Sequence, residues 1–534
     1  MKKIYIAIIT LFLIIGYSFS QSSYTNVQMG SSNYGEVSIA INPKNTNQVV
    51  GGCNINKYYY SSNGGTSFTQ GNLSSSAYGV WGDPVIIWDT VGNAYYFHLS
   101  NPPGGSGGQW IDRIVSQKST NGGVTWENPG TYMGLNLPKD QDKQWAAVDF
   151  THGPRGNWIY VTWTQFNAYD TPDSSNILFS RSTNGGVTWL DPPTRINQIG
   201  GDSFDDDNTV EGAVPCVGPN GELYVAWAGP KVRNSQFGLF FDKSTDGGNT
   251  WLANDIYVCD QPGGWGFNIA GLDRSNGLPV TVCDVSNSPY RGTIYINWTD
   301  QRNGSTDTDV WMIKSTNGGL NWSAVKRINN DAAGKDNFLT WIDVDPITGY
   351  VYIVFYDRRN YTGLQTDVFL ARSTDGGNTF TNERISASPF TAGVGGFFGD
   401  YIDVSAYNGI VRPVWMRPQS SQTTYIYTAL INFPVSAGNN GNEQPKSFAL
   451  SQNYPNPFNP STTILFEVPS PDFVSLKIYD AAGREIETLV NANLNAGKYE
   501  VNWNASSYAS GVYYYSMTTG DGSYKESKKM MLIK

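Results

Sequence analysis

Histidine is almost missing from this chain: of 534 residues, only His98 and His152 carry an imidazole. Hydrolysis by a Ser-His-Asp triad and zinc sites of the usual ligand types are thereby set aside. Cysteine is scarce too. Cys53, Cys216, Cys259 and Cys283 are the full set, none in a Cys-x-x-Cys spacing, and the sequence does not choose among their possible pairings. Charged residues make up only 15 %, with no helix-type charge pattern. The net charge of −10 argues against nucleic acid and anionic membrane surfaces as partners. No apolar run after the first twenty residues is long enough for a membrane span, so none is expected in the mature form.

What is present suits an exported all-β protein: glycine, asparagine, serine, threonine and tyrosine abound, and tryptophan is frequent. Residues 1–20 read as a signal peptide. Lys2 and Lys3 form its charged start, Ile4 to Ile15 its apolar stretch, and Ser18-Phe19-Ser20 a small-residue exit before Gln21.

Six octapeptides recur: SSNGGTSF (61–68), STNGGVTW (119–126 and 182–189), STDGGNTW (244–251), STNGGLNW (315–322) and STDGGNTF (373–380). Repetition at this spacing marks a β-propeller. The third-position Asp or Asn suits a tight turn, the glycines supply conformations closed to other residues, and the final aromatic packs. The octapeptide is therefore read as a fold determinant. Alternating runs such as NGELYVAW (220–227), RGTIYINW (291–298) and TGYVYIVF (348–355) supply second strands, preceded by TWIDVDP (340–346) or DYIDVSA (400–406). Seven units start near Val37, Asp83, Trp145, Ala213, Pro279, Leu339 and Tyr401. The last lacks its fourth strand, which the segment near Tyr24 to Met29 can supply.

The expected fold is a propeller over 21–433, seven blades favoured and six the alternative. A polar linker at 434–447 and a small immunoglobulin-like β-sandwich at 448–534 follow.

Chemistry is expected on the face opposite the octapeptides. Asp83, Asp142, Glu211, Asp336 and Asp400 stand just before inner strands and are the catalytic candidates, since crowded carboxylates raise one another's pKa. Arg302, Arg358, Arg359 and Arg417 follow second strands and, with Trp265 and Arg274 in the longest inter-blade connection, are the substrate-binding candidates. The run from Gly201 to Asn208 brings Asp202, Asp205, Asp206 and Asp207 together; clustered oxygens suit Ca2+, although no cofactor is required. His98 is expected packed within its strand, and His152 in a loop on the octapeptide face.

The octapeptides resemble the Asp box (BNR repeat) of the sialidase superfamily, Ser-x-Asp-x-Gly-x-Thr-Trp, with Asn for Asp in four copies. The resemblance implies action on extracellular glycans, with an exo-glycosidase of sialidase type among the options. Sialidases carry their first arginine in a Phe/Tyr-Arg-Ile-Pro motif before the first box. Here that motif is missing and the first arginine is Arg113, so no catalytic residue is transferred. Two classes remain: a glycoside hydrolase with paired carboxylates, and a non-catalytic propeller binding glycans, proteins or surface polymers. The tail, with NYPNPFNP at its start (453–460), Tyr479 to Arg484 at its core and a Gly-Val-Tyr-Tyr strand, resembles the type A C-terminal sorting domain of type IX secretion. That resemblance implies the type IX machinery as partner and a secreted or surface-attached destination.

Overall fold

The computed structural model describes residues 24–102, 110–151, 153–168, 170–393, 397–420, 423–433, 435–436, 445–494, 496–506 and 508–534. Residues 1–20, read above as a signal peptide, His152 and most of 434–447 lie outside them. Every regular element among these residues is a strand; there is no helix.

Successive strands pair with their sequence neighbours, giving antiparallel sheets whose first strands are Val37–Ile41, Gly82–Trp88, Asp140–Val148, Glu211–Val217, Val280–Cys283, Asn337–Val344 and Asp403–Tyr407. These seven inner strands touch in chain order, and the last touches the first. The architecture is a β-propeller ring. Its final sheet, Asp403–Tyr407, Ile410–Ser420 and Thr423–Asn432, takes its outer strand from the opposite end of the chain. Thr25–Ser32 pairs with it antiparallel, from Thr25 opposite Leu430 to Ser32 opposite Thr424.

The second strands are buried on both faces, as in Leu223–Val232 and Val351–Asp357, because each sheet packs between two others. That is why they read as near-continuous apolar runs.

The octapeptides close the turns between third and outer strands. In all six, the first serine's Oγ accepts the N–H of the second glycine at 2.8–3.0 Å. The third-position Asn or Asp accepts the N–H of the seventh residue at 2.9–3.1 Å. The closing aromatic packs on a ring of the preceding sheet: Trp189 on Phe97, Trp251 on Phe179, Trp322 on Phe241, at 5.8, 5.1 and 5.2 Å. Gly248 has φ +87°, and a Cβ there would sit 2.3 Å from Phe179, so the turn seats a neighbouring ring only where no side chain intrudes.

The tail forms two four-stranded sheets. One runs Val435–Ser436, Gly497–Asn504, Ser461–Val468, Ala449–Leu450; the other Glu485–Leu494, Asp472–Tyr479, Gly511–Thr519, Lys525–Leu532. Ile464, Phe466, Leu476, Ile478, Trp503 and Met517 belong to a core of their own. All four cysteines are free thiols.

Candidate functional site

The inner strands do not start cleanly. Four carry a register shift at their entry: between Gly82 and Val85, Asp142 and Trp145, Glu211 and Val214, and Phe338 and Trp341. The residue just inside each shift has positive φ: Asp83 (+53°), Lys143 (+52°), Gly212 (+74°) and Leu339 (+46°). Glu36, just before the first inner strand, has φ +66°. A bulge bends its strand and re-aims side chains. Left-handed backbone at bulky residues costs free energy and clusters at functional sites. At Glu36, Asp83 and Lys143 it accompanies charged side chains that meet one another.

Asp400 is the anchor. Arg274 donates through Nε to Oδ1 at 2.9 Å, and both its Nη2 and Lys143 Nζ contact Oδ2. Two cations on one buried carboxylate outweigh its desolvation and hold its pKa below the usual carboxylate range. Lys143 also reaches Glu36 at 3.5 Å. Arg274 reaches Asp205 at 3.5 Å. Asn54 donates to the Glu36 carboxylate and accepts the N–H of Asp83 at 2.7 Å.

Other carboxyls lack such compensation. Glu211 is fully buried, and neither oxygen receives a hydrogen bond from a donor. Its carboxyl lies against that of Asp205. Burial first, then the Asp205 charge, push its pKa well above the usual range, which favours the protonated form. Burial and the neighbouring Glu36 do the same to Asp83. Asp142 is raised chiefly by burial, against the attraction of Lys143.

Above this cluster lies a cavity of about 280 Å³ lined by Lys143, Asp205, Asp206, Asp207, Glu211, Trp265, Phe267, Arg274 and Asp400, among others. A small void of about 40 Å³ between Asp83, Trp145, Trp341 and Tyr401 lies next to it. The Trp145 and Trp341 rings, 4.1 Å apart between centroids, and Tyr401, 5.4 Å from Trp145, fill the middle.

Asp83, Asp142, Glu211 and Asp400 thus belong to one charged cluster, and Arg274 and Trp265 line its cavity. Asp336 does not join them. It sits two residues ahead of the bulge entry at Phe338 and faces Arg358 at 3.6 Å instead. The arginines after the second strands are also elsewhere, and none of the four lines the cavity. Arg302 and Arg359 fold back on the strand-end carboxylates Asp300 and Asp357, and stack on Trp311 and Phe369. Arg358 donates to the Ala270 carbonyl at 2.8 Å and Arg417 to Ser388 Oγ at 2.9 Å. Strand-end arginines with a carboxylate two residues away find it before any ligand.

The acidic run divides: Asp205, Asp206 and Asp207 line the cavity, and Asp202 turns away from it. Asp202 pairs with Arg233 at 2.9 Å, Asp206 accepts the N–H of Asn208, and Asp207 accepts that of Gly266. Among the described residues no three His, Cys, Asp or Glu side chains group as metal ligands. His98 is buried between the Leu99 carbonyl and Gln117, and desolvation lowers its pKa to about 4. Sequence reasoning missed Glu36, Lys143 and the pairing of Asp205 with Glu211. Glu36 precedes Val37 as Asp400 precedes the last inner strand, so its position was a usable signal.

Residues 452–534 match the family model for the secretion system C-terminal sorting domain. The chain is cargo of type IX secretion, secreted or attached to the cell surface. Among curated proteins, none matches this chain. Among solved structures, the chain is similar to an α-L-arabinofuranosidase of Fusarium graminearum in complex with arabinobiose (TM-score 0.41, 12 % identity, 68 % of this chain, 98 % of that one). It is also similar to Trypanosoma rangeli sialidase (TM-score 0.40, 11 % identity, 95 % and 89 %) and to polysaccharide lyase Uly1 (TM-score 0.37, 9 % identity, 82 % and 91 %). At these values the likenesses carry no argument about chemistry.

Proposed function

We propose that this secreted propeller is a glycoside hydrolase acting on one sugar unit of an extracellular glycan at a time. The observation that carries the reading is Glu211: a fully buried carboxyl, without a donor on either oxygen, lining a cavity beside the second carboxyl of Asp205. A carboxyl that holds its proton while a neighbour carries charge is the equipment of acid-assisted glycosidic cleavage. In this reading Glu211 delivers its proton to the leaving glycosidic oxygen. Asp205, salt-bridged to Arg274, faces the positive charge developing at the sugar. Asp400 holds Lys143 and Arg274 in place. Trp265 and Phe267 supply apolar walls, and the filled centre confines the ligand to one side of the ring. A cavity of about 280 Å³ sits just under the roughly 300–1,000 Å³ of ligand clefts, which fits a single ring better than a long chain.

The test is release of reducing sugar from a panel of polysaccharides and oligosaccharides by the secreted protein, compared with Glu211→Gln. Turnover that vanishes in the variant supports the reading. Binding without turnover across the panel points instead to a glycan-binding propeller.

A further inference from the structure

The charge balance of the cavity narrows what enters it. Beside the protonated Glu211, four carboxylates line it, Asp205, Asp206, Asp207 and Asp400, against two cations, Lys143 and Arg274. Both cations are engaged: each contacts Asp400, Lys143 reaches Glu36, and Arg274 reaches Asp205. Glu36 adds a further negative group behind Lys143. A carboxylate-bearing sugar would meet no free guanidinium here and would face Asp205 to Asp207 across the cavity.

The opposite charge meets a built surface. Asp206 is exposed at the rim. Asp207 accepts the Gly266 N–H; burial and then the neighbouring Asp206 charge push its pKa up to about 6, so a cation placed beside it would favour its ionised form. The indole of Trp265 is tethered through Nε1 to the Thr209 carbonyl at 3.2 Å, and Phe267 lies beside it in the wall. Carboxylates next to aromatic faces are the pattern that receives ammonium groups. Fully buried Glu211, its oxygens lacking any donor, faces the same space.

Resting on the hydrolase reading of this site, we infer that the cavity takes a sugar bearing a free amino group. The ammonium sits against Asp206 and Asp207 with Trp265 beside it, which leaves the proton of Glu211 for the glycosidic oxygen. Charge at the ligand, not shape alone, then selects the substrate.

The test is calorimetric titration of the full-length secreted protein with glucosamine oligomers from chitosan, their N-acetylated counterparts, oligogalacturonate and a trilysine peptide. Binding of the amino oligomers at least tenfold tighter than of the other three is expected, with oligogalacturonate silent. Replacing both rim carboxylates, Asp206→Asn with Asp207→Asn, is expected to weaken amino-oligomer binding about tenfold while the melting temperature holds. Equal or tighter binding of the N-acetylated or acidic oligomers overturns the inference, as does binding of none. Tighter binding of trilysine overturns the assignment to a sugar. Amino-oligomer binding without hydrolysis sinks only the hydrolase reading; hydrolysis without amino preference sinks only this one.

Discussion

The carboxylate of Asp403 accepts the backbone N–H of Ile39 at 2.9 Å, and the two residues are 364 positions apart. It also accepts Ser38 Oγ at 2.9 Å and the Val404 N–H at 2.7 Å. The same bond recurs one sheet earlier, where Asp343 accepts the N–H of Ala406 at 2.7 Å. Both aspartates sit in the sequence Ile-Asp-Val. Each ties its inner strand to the next, and Asp403 ties the last to the first.

Asp403→Ala therefore opens the ring at its seam. Removing a buried acceptor leaves its N–H donors unsatisfied, at about 1–3 kcal/mol. A loss of about 2–3 kcal/mol is expected in urea denaturation, with Asp343→Ala close behind. A loss under about 0.5 kcal/mol for both would show that the sheets hold by side-chain packing alone.

Gly248→Ala tests the octapeptide as a packing device. The new methyl meets Phe179 at 2.3 Å, and the backbone there has φ +87°. Strain at such a position costs about 1–3 kcal/mol, so thermal unfolding is expected to shift down by several degrees. Ligand binding at the cavity should be unchanged in protein that remains folded. Lost binding with unchanged stability would assign the octapeptides a direct role.

Glu211→Gln is expected to lower turnover about 10²- to 10⁴-fold, the range for loss of a positioned general acid. Stability should hold or rise, because the variant removes an uncompensated buried carboxyl. A variant that unfolds would mean that Glu211 organises the inner strand. The wild type's activity should fall on the alkaline side as this group gives up its proton.

Asp242 carries the pH dependence that is simplest to isolate. Its Oδ2 is buried without a partner, and burial raises its pKa to about 7. A raised pKa means the fold prefers the protonated form, so its contribution is full below about pH 4 and is lost as pH climbs through 7. The stability difference between Asp242→Asn and wild type should move in the variant's favour across that window and level off above it. A difference that stays flat from pH 4 to 8 would place the proton elsewhere.

Removing residues 448–534 should leave the ring folded, since that segment builds its own core. The truncated chain is expected in the periplasmic fraction. Its appearance on the cell surface in normal amounts would overturn the sorting role of the tail.

The octapeptides and the alternating second strands made the all-β ring legible, because each encodes a local interaction that recurs from sheet to sheet. The site was only partly so. Asp83, Asp142, Glu211 and Asp400 stand out as carboxylates at inner-strand starts, but Asp336 stands out equally and goes to Arg358. The difference is where each bulge falls: two residues' displacement along a strand carries a side chain out of the central cluster, and no local pattern marks it. Arg302 and Arg359 looked available because sequence does not show that a strand-end guanidinium folds back on its own carboxylate. Lys143, Arg274 and Asp400 come from three distant segments, and their pairing depends on the ring closing. Which carboxyl keeps its proton follows from that closure, because desolvation and neighbouring charge exist only once the inner strands stand side by side.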